Sequence, residues 1–134
     1  MRYFTINELT KSATAARRGI NNTPDATAKK NLELLVENIL DPLREAWGAP
    51  IIVSSGYRCP KLNRAVGGAK TSQHMLGQAA DIHTVSDKPV DNRKLFDLIR
   101  SLKLPFDQLI NEYNYNWVHV SFGPRNRRQI LTIK

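Results

Sequence analysis

Two runs of alternating residues, FDQLINEY (106–113) and WVHVSF (117–122), are separated by the polar tripeptide Asn114-Tyr115-Asn116. Period-two runs joined by so short a polar tip predict an antiparallel β-hairpin. That ribbon commits the chain to a sheet, so the apolar faces of any helices must find it. Within the second run, alternation puts Val118 and Val120 on one face and Trp117, His119 and Ser121 on the other. The valines claim the packed face. His119 is therefore expected to point, with Trp117, toward a cleft or solvent.

Helical periodicity supplies the rest of the core. Leu32, Leu35, Val36, Ile39, Leu43 and Trp47 share one stripe that begins near Thr23-Pro24 and ends at Gly48. Pro42 lies inside it and should kink the helix or split it at Asp41. A second amphipathic helix is expected from Asp91, as N-cap, to Lys103, with Leu95, Phe96, Leu98, Ile99 and Leu102 inward and Pro105 ending it. Ile51-Ile52-Val53 reads as a buried strand leaving through Ser54-Ser55-Gly56, and Ala79–His83 as another. Thr5–Leu9 suggests a short turn capped by Thr5 or Asn7, and residues 57–73 read as loop, with Gly67-Gly68 taking unusual backbone angles. The expected fold is α+β: helices packed on a small, mostly antiparallel sheet, with residues 1–134 forming a single domain.

Charge narrows the partners. Twenty Lys and Arg against 12 Asp and Glu give a net charge of +8, and the pI is about 9.9. Such a surface suits a polyanion: nucleic acid, an anionic membrane or a bacterial wall. No apolar run approaches the ~20 residues of a membrane-spanning helix. No recognition helix or aromatic-basic ribbon marks a nucleic-acid binder. Arg125, Arg127 and Arg128 form a basic tail, either solvated or drawn to an anionic wall. The lone Cys59 excludes an internal disulfide and a cysteine-rich metal site. The opening residues lack the apolar core of a secretory signal. The expectation is a chain made in the cytoplasm that either stays there or is released by something other than this segment, with a monomer favoured.

The stretch SQHMLGQAADIH carries His74 and Asp81 across the small residues Gly77 and Ala79. Imidazole and carboxylate are ordinary zinc ligands at ~2.0–2.2 Å, and catalytic sites use three protein ligands. Singly, His74 reads as a turn histidine and His119 as a strand histidine. Together, His74, Asp81 and His119 supply a three-ligand set. His83 shares the strand face of Asp81 and reads as a polar strand end, with a fourth ligand or a supporting group as the alternatives. Arg58, just past a strand, could stabilise an oxyanion or bind a carboxylate, or else be structurally paired. Tyr57, with Tyr113 or Tyr115, either lines the cleft or packs.

The pattern Ser72-x-His74-x-x-Gly77-x-Ala79-x-Asp81, followed by Trp117-x-His119, resembles the zinc D-Ala-D-Ala peptidases of the M15 group. That group includes D,D-carboxypeptidases, D,D-dipeptidases and phage L-alanoyl-D-glutamate endolysins. The stretches FTINELTKSATAARRGINNTP and SSGYRCPKLNRAVGGAKTSQH and the hairpin are similar to its short single-domain branch. The resemblance implies an α+β fold carrying zinc on its sheet and hydrolysis of peptidoglycan stem peptides. It implies His74, Asp81 and His119 as zinc ligands, Arg58 as the arginine facing substrate, and Ser72, Gln73 and Trp117 as further substrate contacts. Many members carry a carboxylate three residues before the last histidine, where this chain has Asn116, which takes no proton from water. Glu112, in the opposite hairpin arm and expected opposite Val118 or His119, is then the candidate base; Asp107 lies further from the tip. The alternative is a non-catalytic, zinc-stabilised module that binds peptidoglycan or forms part of a phage particle.

Overall fold

In the computed structural model, which describes residues Met1–Lys134, the first three helices start where short side chains take up free amides. Helices α1 (Ile6–Thr10), α2 (Ala13–Arg18) and α3 (Ala26–Leu35) are capped by Thr5, Ser12 and Asp25, which accept from the amides of Glu8, Ala15 and Ala28. Asn7 is thus inside α1 rather than its cap. Helix α3 starts later than Thr23-Pro24, because Thr23 is tied by its amide and hydroxyl to Asn21 Oδ1. The apolar stripe then continues through a π turn, Val36–Leu40, into α4 (Asp41–Trp47), which ends at the left-handed Gly48. Pro42 explains the wide turn. A proline ring collides with the carbonyl four residues back and donates no hydrogen bond. Here the Asp41 amide instead reaches Val36 O, five residues back. Across the turn Leu32, Leu35, Val36, Ile39, Leu40 and Leu43 are all fully buried.

After strand β1 (Ile51–Ser55) come α5 (Pro60–Ala65), a 3-10 turn (Gln73–Leu76), β2 (Ala79–Thr84), α6 (Pro89–Ser101), β3 (Gln108–Glu112), β4 (Trp117–Ser121) and β5 (Gln129–Ile133). Two of these elements depart from expectation. Helix α5 lies in the stretch read as loop; its six residues are too few to show a 3.6-residue period, but Pro60 at its first position and Cys59 Sγ accepting from the Leu62 amide start it. Strand β5 lies in the tail read only for its charge. Helix α6 also begins earlier than Asp91, at Pro89 after Lys88, and Asp91 instead accepts from the Ser86 hydroxyl at 2.6 Å.

The five strands are ordered β1-β2-β4-β3-β5. The pairs β1–β2, β2–β4 and β3–β4 are antiparallel, whereas β5 runs parallel to β3 at the edge, making the sheet mixed. Register sorts the two faces. Ala80 pairs with Val120, Ile82 with Val118 and Leu109 with Val120, all within the core against the helices. On the opposite face Asp81 pairs with His119, and His119 with Ile110. Helix α6 covers the core side of β2, β3 and β4, leaving the other face of the sheet to form the floor of a cleft.

Candidate metal centre and active-site cleft

Strand register puts Asp81 and His119 side by side, since directly opposed residues in an antiparallel pair have Cβ atoms ~4.5–5.5 Å apart. A bulge in β1 between Val53 and Ser55 bends the chain beside Asp81, where the Ser54 hydroxyl donates to Asp81 O at 3.3 Å. His74 arrives from the 3-10 turn. The Ser72 hydroxyl caps that turn by accepting from the His74 amide at 3.1 Å. Gly77 closes it at φ 72°, and a side chain there would run into Ala28 O of α3. Gly77 therefore presses the turn onto a helix as well as shortening the path from His74 to Asp81.

The ligand atoms of His74, Asp81 and His119 lie within 4.8 Å of one another. Asp81 Oδ1 is 3.0 Å from His119 Nδ1 and 3.4 Å from His74 Nε2. Donors ~2.1 Å from a tetrahedral zinc ion stand ~3.4 Å apart, so the spacing and the N/N/O donor set both fit Zn²⁺. His74 Nδ1 donates to Gly56 O at 2.7 Å, which leaves the Nε2 lone pair free for a metal. Burial pushes the Asp81 carboxyl up, but the facing imidazoles, His119 foremost, outweigh it and hold it below the ordinary carboxylate range. The group is thus ionised and acceptor-ready. Gly56, whose carbonyl orients His74, was not singled out in the sequence; its role is a backbone one and leaves no side-chain signature.

Above this floor the cleft has a volume of about 1040 Å³, and Tyr57, Arg58, Ser72, Gln73, Glu112, Tyr113 and Trp117 all line it. Glu112 pairs with Trp117, one residue nearer the tip than Val118. Its Oε2 accepts from Trp117 Nε1 at 2.6 Å. Burial raises the Glu112 pKa and the neighbouring Asp81 adds to the rise, against the pull of His119, Trp117 and His74. Trp117 therefore holds a half-buried carboxylate in the same cleft as the candidate metal ligands. The hairpin tip has three successive left-handed residues, Tyr113, Asn114 and Tyr115, at φ 51°, 58° and 63°. Buried Asn92 pins it by donating to Tyr115 O and Asn116 O, while the Tyr115 amide donates to Asn111 Oδ1. Tyr115 faces Phe96 edge-on, away from the cleft.

His83 is set apart from this group. It sits opposite Ile52, donates from Nδ1 to Thr84 O at 2.7 Å and approaches Asp87 at 3.4 Å. It reads as a strand-end histidine. Asp107 is fully buried below the cleft and accepts from Arg127 Nε (2.7 Å), Arg127 Nη2 (3.1 Å) and Gln73 Nε2 (3.0 Å). It thereby links β5's approach to the residue preceding His74. Arg127 is structurally engaged, whereas the nearby Arg125 stays largely exposed. No helix is long and apolar enough to cross a membrane.

Comparison with known proteins agrees with this arrangement. A stretch of 58 residues is 45% identical to the Zinc D-Ala-D-Ala carboxypeptidase of Streptomyces albus G, covering 42% of this chain and 22% of that protein. The chain thus spans about a fifth of that relative's length. The sequence model of the family described as Peptidase M15 matches residues 2–121, which takes in His74, Asp81, His119 and the hairpin that carries Glu112. A match of that extent, over a fold whose sheet register and 3-10 turn bring the motif residues together, makes the chain a member of the M15 peptidase family.

Proposed function

We propose that the protein is a zinc metallopeptidase that hydrolyses peptide bonds in the stem peptides of bacterial peptidoglycan, with residues 1–134 acting as one peptidase unit. The observation that carries the reading is the convergence of His74, Asp81 and His119 on one cleft floor beside Glu112. His74 Nε2, Asp81 Oδ1 and His119 Nδ1 would hold the metal. Bound zinc supplies a Lewis acid for the scissile carbonyl and acidifies the attacking water. Glu112 takes the proton of that water and delivers it to the leaving amine, a task suited to a carboxylate whose pKa is raised. Trp117 Nε1 keeps the carboxylate aimed, and its ring and that of Tyr113, 5.2 Å apart, wall the cleft. Arg58 offers a cation to the developing oxyanion or to a substrate carboxylate. Gln73 lines the cleft wall beside His74 and would meet the substrate there. Ser72 shapes the same wall through its cap.

The net charge of +8 favours approach to an anionic wall. The name of the Streptomyces albus G relative supports D-Ala-D-Ala as one bond to test. Purified muropeptides digested with the zinc-loaded protein and analysed by mass spectrometry should yield shortened stem peptides. Loss of a terminal alanine identifies carboxypeptidase action, and release of the peptide from muramoyl-alanine identifies endopeptidase action. Intact muropeptides in every digest would refute hydrolysis and leave the zinc-stabilised binding module.

A further inference from the structure

Asn63, near the end of α5, is 3% exposed, and its Nδ2 donates to Ala69 O at 2.9 Å. Its Oδ1 has no hydrogen-bond partner in the chain, and neither has the buried Nε of Arg58. The two side chains meet over Gly68, whose amide donates to Asn63 O at 2.8 Å. A methyl group at Gly68 would overlap Asn63 Oδ1 and come within 2.8 Å of Arg58 Nη1. The neighbouring Gly67 has φ 74°, but Gly68 is not left-handed. Its backbone would accept any residue. What Gly68 supplies is space, while Gly67 makes the turn.

That space opens on the cleft, which both Arg58 and Gly68 line. Asp81 and Glu112 line the same cleft; burial lowers the Arg58 pKa, and these two carboxylates pull it back up. Yet Arg58 takes part in none of the chain's ion pairs. A long, unpaired cation has many rotamers, and ordering it costs conformational entropy. Walls, rather than a salt bridge, must aim it.

We propose that Asn63 and Gly68 are positioning residues that aim the Arg58 guanidinium across the cleft, Asn63 as a wall with a spare acceptor and Gly68 as the gap. The inference rests on the reading of Arg58 as the substrate-facing cation. Asn63 is anchored through Nδ2 and holds the segment 67–69 against α5. Arg58 is anchored only through its backbone, its amide donating to His74 O at 3.0 Å. A methyl at position 68 therefore pushes on Asn63 Oδ1 first and on the guanidinium beside it, disturbing the wall that aims Arg58. The His74, Asp81 and His119 side chains are not among the atoms it meets.

The test is Gly68→Ala, read by activity and by the ¹⁵N-resolved Nε–H signal of Arg58, assigned from its loss in Arg58→Lys. In Gly68→Ala that signal should shift or broaden at unchanged zinc content. The value of kcat/KM on a stem peptide should fall roughly 10- to 100-fold, as expected for a misplaced group. In an Arg58→Ala background the same substitution should add less than about two-fold, because the two act as one unit. An unchanged Nε–H signal, or an equal loss of activity in both backgrounds, would overturn the proposal. Should Gly68→Ala not fold, the wild type decides: a resolved, slowly exchanging Arg58 Nε–H at neutral pH supports a held guanidinium, and a rapidly exchanging one refutes it. Full turnover in Arg58→Ala would instead remove the substrate role of Arg58, while the spectroscopic arm still judges the positioning.

Discussion

Replacing Asp107 with asparagine keeps the size of a side chain on which two distant segments converge, but removes its charge. The carboxylate is fully buried and accepts from the Arg127 side chain at 2.7 and 3.1 Å, the Arg127 amide at 3.1 Å and Gln73 at 3.0 Å. The hydrogen bonds from Arg127, foremost, hold its pKa at about 2, against an ordinary value of 3.8. A carboxyl so depressed stabilises the fold above its unfolded pKa and loses that contribution as pH falls toward the folded value. At 1.36 kcal/mol per unit the full contribution is roughly 2–3 kcal/mol at neutral pH. Arg127 is 37% exposed on its side chain, and solvent screening trims this to about 1–2 kcal/mol. Asparagine also turns an amide donor toward donors. Urea unfolding at pH 7 should therefore show Asp107→Asn less stable by ~1–3 kcal/mol. The gap should shrink by about half near pH 3 and vanish below pH ~2. Equal stabilities at pH 7, or a gap that persists undiminished into acid, would refute the assignment of Asp107 as the ionised tie between the tail and Gln73.

Elemental analysis should find one zinc per chain, falling sharply on alanine substitution of His74, Asp81 or His119; full zinc in a His74→Ala, Asp81→Ala double variant would eliminate this ligand set. Arg58→Ala should keep zinc and melting temperature yet lower turnover by ~10²-fold or more, with lysine a poor substitute because it lacks the planar fork. Unfolding of that variant would make Arg58 structural. Glu112→Gln should retain zinc and fold while activity falls by ~10²–10⁴-fold. An active Glu112→Gln enzyme would require another base.

The sequence by itself determined what depends on near neighbours along the chain. The alternation of WVHVSF separated the core valines from His119, the stripe from Leu32 to Trp47 marked the main helical segment, and the spacing of His74 and Asp81 marked a candidate ligand pair. These patterns follow from the periods of strand and helix, so a short window suffices to read them. Tertiary structure decided what depends on residues far apart. The β2–β4 register set Asp81 beside His119, and the β3–β4 register set Glu112 opposite Trp117 instead of Val118 or His119. A one-residue slip would have turned each to the other face. Strand β5 was hidden for the same reason: its parallel pairing with β3 and the Asp107–Arg127 tie exist only once the hairpin is in place. Helix α5 was too short to show its period, and the roles of Gly56 O and Gly68 lie in a carbonyl and a vacant volume, which a string of side chains does not record.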